Sequence, residues 1–210
     1  MPRIDYRDHT GLKLPGVTSV LNVLGLNKGA LCGWAYNQGK AGLPLYAARD
    51  KAADIGTLTH LMIEADLYGR VFDTSAYPPD VVDKAENAFI GWLDWKRLVD
   101  FQLVESELSL TDDELGYGGT MDKVAVKGKL SITDYKTGKG PYIEQWCQLA
   151  AYKHLWDIHH PDEPADGGVY LLLVGKEDGG FTYAHKIQLD KHFEIFKHAL
   201  AIYKLHKELK

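Results

Sequence analysis

Apolar and polar positions along this chain follow two periods, and the change between them comes near residue 99. Before it, apolar residues recur at helical spacing. Leu31 to Lys40 and Leu45 to Ala53 read as helices interrupted by Gly42 and Pro44. Ile55 to Tyr68 follows and then, past the Tyr77-Pro78-Pro79-Asp80 loop, Val81 to Leu98. Upstream, Ile4 to Leu14 reads as a small hairpin turning at Asp8-His9-Thr10-Gly11, and Thr18 or Ser19 predicts the cap of a short helix through Leu24.

After residue 99 the period shortens to two. Strands are expected at about 101–110, 118–126 and 129–136, then a helix Tyr142 to Trp156, strands Val169 to Val174 and Phe181 to Gln188, and a closing helix Lys191 to Leu209. This order predicts the α/β class, with a central mixed β-sheet flanked by helices and a helical N-terminal region. The length of 210 residues suits one domain, with 1–98 as the mainly helical part and 99–210 as the sheet-bearing core.

The chemistry concentrates in Gly118-Gly119-Thr120-Met121-Asp122 and Ile132-Thr133-Asp134-Tyr135-Lys136-Thr137-Gly138. Side chains alternate along a strand, so Asp134 and Lys136 share a face and Tyr135 points away. Gly128 lies midway between Asp122 and Asp134 and permits the positive φ of a tight turn. An odd loop or a bulge is therefore predicted, which sets the two aspartates on one face, whereas an even loop in a regular ladder would break the site. Paired carboxylates repel unless they are protonated, solvated or bridged by a cation; a metal is the economical explanation, and hard oxygen ligands favour Mg2+ or Mn2+. Lys136 then orients a water and stabilises the charge that develops as it attacks phosphorus. The candidate catalytic residues are Lys136, Asp122 and Asp134. On the preceding strand Glu105 and Glu107 share one side, and Glu107 is a candidate further acid.

Gly56-Thr57-Leu58-Thr59-His60 lies upstream on a helical pattern, and Gln148-Leu149-Ala150-Ala151-Tyr152 lies on a helix downstream. The ordered set of Gly-x-x-x-His, Gly-Gly-Thr-x-Asp, Asp-Tyr-Lys-Thr-Gly and Gln-x-x-x-Tyr resembles the PD-(D/E)XK nuclease superfamily, in its RecB-like exonuclease branch. That branch includes phage exonucleases, CRISPR-associated nuclease subunits and the mitochondrial genome maintenance exonuclease. The resemblance covers about residues 54 to 156, with a weaker echo at Val17 to Leu21 and Leu31 to Ala35. It implies a restriction-endonuclease-like core, metal ligation by His60, Asp122, Asp134 and the main-chain carbonyl of Tyr135, and a catalytic role for Lys136. It also implies that Gln148 and Tyr152 support the site or grip DNA. The second acid here is Asp134 where glutamate also occurs in the superfamily.

Other candidates follow from the residues. Glu64 stands one turn beyond His60 and suits an orienting partner for its imidazole. Trp34 suits stacking on a base, and Arg49 and Thr18 fall in the first quarter of the chain. Net charge is −5, yet residues 1–52 carry seven basic against three acidic residues, which makes that quarter the expected DNA-facing surface. Trp92 and Trp95, with Phe89, form a packing stripe.

Cys32 and Cys147 provide neither a disulfide framework nor the four ligands of an iron-sulfur cluster. The chain lacks a membrane-spanning run and an apolar N-terminal signal core, so a cytoplasmic protein, or one in the host cytoplasm if phage-encoded, is expected. The glycines at 116–119 lead into a strand and not a helix N-terminus, which disfavours a phosphate-cradling loop. The expected activity is Mg2+- or Mn2+-dependent hydrolysis of DNA from linear ends, single strands included, with a recombination or replication protein as partner. The alternatives are a structure-specific endonuclease and a non-catalytic DNA-binding subunit.

Overall fold

Residues 4–26, 28–126, 128–138 and 140–209 are described by a computed structural model, with residues 122–125 described in the main chain alone. The elements follow from local chemistry. β1 (Tyr6–Arg7) and β2 (Lys13–Leu14) pair around an Asx turn, where Asp8 Oδ1 accepts from the main-chain N–H groups of Thr10 and Leu12 at 2.9 Å each. α1 (Val17–Leu21) is shorter than expected. Its N-cap is Gly16, so Thr18 stands inside the helix and does not cap it.

α2 (Lys28–Lys40) buries no residue. α3 runs unbroken from Leu45 to Leu67. The two helices expected here are therefore one, because Ala52, Ala53 and Asp54 contain no breaker and alanine is the best helix former. α4 (Pro79–Leu98) starts on a proline, whose missing N–H costs nothing in a first turn.

β3 (Phe101–Asp112), β4 (Tyr117–Val126), β5 (Lys129–Lys136), β6 (Val169–Val174) and β7 (Phe181–Lys186) form one five-stranded sheet in the order β3-β4-β5-β6-β7. Every pairing is antiparallel except β5 with β6, whose parallel crossover is α5 (Ile143–His159). α6 (Asp190–Glu208) closes the described chain against α5. The fold is mixed α/β, with helices on both faces of the sheet.

Each face has its own core. On one, Val20, Met121, Ile132, Leu149, Leu155, Leu171 and Phe196 pack α1, α5 and α6 onto the strands. On the other, Trp92, Trp95, Tyr135 and Leu172 pack α3 and α4. The tryptophan stripe is thus a packing stripe, as its helical spacing required.

Candidate metal centre

Gly128 takes φ +74° in the β4–β5 turn, as expected. The loop, however, is even. Val126 pairs with Lys129, which leaves two positions between the strands, and Asp122 comes level with Thr133 and not with Asp134. Strict alternation therefore does not bring the two aspartates to one face. What changes the geometry is that the pairing stops at Asp122 and Thr133, while β4 extends back to Tyr117 and β5 on to Lys136. The ribbon forks there. The β3–β4 ladder also shifts register at this height, between Glu105 and Leu108, where Glu107 adopts φ +55°. A non-glycine residue in that region costs on the order of 1–3 kcal/mol and is held only where its surroundings over-determine it.

The fork opens into a cleft of about 380 Å³ that draws side chains from both faces of the sheet. His60 reaches it from α3, Glu107 from the β3 bulge, and Thr133, Asp134 and Lys136 from β5. Gln148 and Tyr152 reach it from α5, and Thr18 from α1. Seven of the residues singled out in the sequence (His60, Glu107, Asp134, Lys136, Gln148, Tyr152 and Thr18) thus line one cavity. The Asp122 side chain lies outside the described part of the structure.

Lys136 Nζ stands 3.0 Å from Asp134 Oδ1 and 2.8 Å from Oδ2, so the two side chains share a face. The Oδ1 contact is a hydrogen bond. At Oδ2 the ammonium is near enough for ion pairing but poorly aligned, and that oxygen is buried with no hydrogen bond. Thr133 Oγ1 is a second buried oxygen without a partner. Asp134 supplies hard carboxylate oxygens of the type that divalent ions take, and both are covered here by the Lys136 ammonium. Among the described residues no group of three or more His, Cys, Asp or Glu side chains suffices for a metal.

Tyr135 faces the other way, its ring 4.6 Å from the His60 ring and 5.5 Å from Trp92. This anchoring holds β5 from behind and fixes the direction of its two neighbours. Gly56 lies where α3 meets the end of β5, since a Cβ there would sit 3.5 Å from Thr137 Oγ1. Gln148 Nε2 donates to Tyr152 Oη at 2.8 Å. Burial pushes the Tyr152 phenol well above the usual tyrosine range and the Asp134 charge adds to this, while Gln148 and Thr18 oppose it. Its proton is retained.

The Gly118-Gly119 pair has a steric reason. A Cβ on Gly118 would meet the Tyr6 ring at 2.4 Å, and one on Gly119 would meet Tyr152 Cε1 at 2.6 Å. Tyr6, which sequence reasoning missed, lines the cleft and its hydroxyl is 2.9 Å from Thr120 Oγ1. The glycine pair was the available signal that something large covers this strand.

Three expected residues lie elsewhere. Glu64 is half-buried and does not line the cleft. Trp34 lines a separate recess of about 460 Å³ with Lys51, Lys84 and Lys176. Arg49 is exposed, pairs with Asp50 at 2.7 Å and lies 5.3 Å from the Tyr46 ring centroid. Much of the first quarter's positive charge is met locally: Arg7 and Lys13 pair with Asp5, and Lys51 with Asp80. Arg3 falls outside the described residues.

No protein-family model matches this chain, and no curated protein matches it. Cys32 and Cys147 are free thiols. Among the described residues, no helix is long and apolar enough to cross a membrane.

Proposed function

We propose that this chain is a Mg2+- or Mn2+-dependent deoxyribonuclease on a restriction-endonuclease-like core, acting from linear DNA ends. The observation that carries the reading is the fork between β4 and β5, where His60, Glu107, Asp134 and Lys136 from three separate elements line one cleft. The ordered motifs that resemble the RecB-like branch of the PD-(D/E)XK superfamily support it from the sequence side. Residues 1–210 act as one nuclease domain, in the cytoplasm or a host cytoplasm, with a recombination or replication protein as partner.

Asp122, Asp134, His60 and the Tyr135 carbonyl would hold the ion, which supplies Lewis acidity toward the phosphate and lowers the pKa of water. Lys136, held beside Asp134, directs its ammonium at the attacking water and at the charge growing on the phosphoryl oxygens. A water oxygen bonds to phosphorus, one P–O ester bond breaks, and the departing oxygen takes a proton. Tyr152 keeps its proton and donates it as a hydrogen bond to the strand, with Gln148 fixing the phenol.

The test uses end-labelled single- and double-stranded oligonucleotides with each metal, comparing wild type with Lys136→Ala and Asp122→Asn. Wild type shortens the labelled strand and both variants lose that activity. Undiminished cleavage by both would remove the proposed centre, and nicking of supercoiled circular DNA would replace end-dependent action with internal cutting.

A further inference from the structure

The recess that holds Trp34 lies apart from the cleft, and no described residue lines both. It encloses about 460 Å³ between α2, the start of α3, the second turn of α4 and the β6–β7 turn. Leu43, Pro44, Ala47, Ala48, Ala52 and Ile55 form its floor. Lys51, Lys84 and Lys176 also line it, and among the described residues no acid does.

The packing here is incomplete. A helix in a folded protein is held mainly by burying an apolar face, yet α2 buries none of its residues. Trp34 is only half-buried where it faces the recess, and Leu43 stays 52 % exposed. Apolar surface gathered in one place and rimmed by charge is the mark of a docking site for another chain.

The rim selects the sign of that partner. Lys51 pairs with Asp80, and Lys84 Nζ stands 2.7 Å from Glu177. Both acids are exposed, and surface pairs of this kind contribute little, so incoming carboxylates can replace them. The Lys176 ammonium makes no ion pair among the described residues. The floor selects the chemistry. None of its six side chains can pair with the edge of a nucleobase, so a base buried there loses hydrogen bonds that a hydrocarbon side chain never had.

We propose that this recess docks an acidic segment of a partner protein. One large apolar side chain of the segment packs against Trp34 and the α3 floor, and flanking carboxylates meet Lys51, Lys84 and Lys176. This surface is separate from the hydrolytic cleft and does not depend on the nuclease reading.

The experiment follows the fluorescence anisotropy of a labelled short peptide, a run of aspartates carrying one phenylalanine, added to the full chain. Binding with a dissociation constant below about 100 μM is expected. Alanine in place of the phenylalanine, or serines in place of the aspartates, weakens it about tenfold or more. On the protein side, Ala47→Trp at an exposed position fills the recess, and Lys176→Glu reverses a rim charge. Each weakens binding about tenfold while the urea midpoint stays near wild type, and Lys176→Glu still tests the site should Ala47→Trp disturb α3. Absence of binding, equal binding of the serine peptide, or affinity unchanged in both variants overturns the proposal. Displacement of the peptide by a single-stranded oligonucleotide whose own binding is lost in Lys176→Glu assigns the recess to nucleic acid and overturns it as well. So does a dimer in sedimentation that Ala47→Trp disperses, which gives the recess to a second copy of the chain.

Discussion

The two faces of the sheet are built to different ends. Toward α3 and α4 the contact is aromatic and closed: Trp92 and Trp95 are fully buried, and Phe101 meets Trp92 edge-on with centroids 5.1 Å apart. Toward α5 and α6 a comparable apolar core gives way, at the β4–β5 fork, to Asp134, Lys136, Gln148 and Tyr152 around an open cleft. The closed face supplies the rigidity on which the open face depends. Tyr135 joins them, because locking its ring behind β5 fixes where the side chains before and after it point. Polar groups placed on strands anchored in this way need little reorganisation when a charged ligand arrives.

The comparison breaks most severely at its closed side. Trp92→Ala removes ring contacts to Trp95, Phe101 and Tyr135 and the 2.9 Å donation from Nε1 to Asp66. A loss of about 3–5 kcal/mol in unfolding free energy is expected by urea titration. A loss under about 1 kcal/mol would show that this face does not carry the stability. Lys136→Ala attacks the open side instead. Turnover on labelled strands falls by about 10²–10³-fold while the urea midpoint stays near wild type. A large midpoint shift with the same turnover loss would turn Lys136 into a structural residue.

Gly119→Ala couples the two effects, because the new Cβ presses on the Tyr152 ring at 2.6 Å. Overpacking of this kind costs about 1–3 kcal/mol, and the cleft loses the phenol's position. Thermal unfolding and KM measured together show it, and a neutral result in both places the ring elsewhere.

The smallest effect concerns Cys147, whose thiol burial raises to about 11, with Glu144 adding to the shift. Because the folded value lies above the unfolded one, this stabilisation is complete below the ordinary thiol pKa of about 8.5 and is lost as pH climbs toward 11. At pH 8, iodoacetamide should modify the exposed Cys32 in the native protein and reach Cys147 only after denaturation. Equal rates on both would show that α5 does not shield the thiol.

Strand and helix identities from 101 to 208 were legible because apolar periodicity is a local property: β6 matches its expected bounds and β5 its start and end. The Asp-x-Lys pairing was legible for the same reason. The unbroken α3, the even hairpin loop and the bulge at Glu107 were not, since each follows from what neighbouring elements impose on the backbone. Alternation assumes a continuous ladder, and the inference that Asp122 and Asp134 share a face assumed one where the strands part.

The sequence alone determined which residue types stand at which period, hence the α/β class, the turn at Gly128, the tryptophan stripe and the side-by-side placement of Asp134 and Lys136. Only the tertiary structure decided that Glu107 and His60 reach the same cleft, that Tyr6 joins them, and that Glu64, Trp34 and Arg49 do not. Periodicity acts over a few residues and is written in the chain. Convergence of side chains more than forty positions apart depends on where pairing between strands ends, which long-range packing sets.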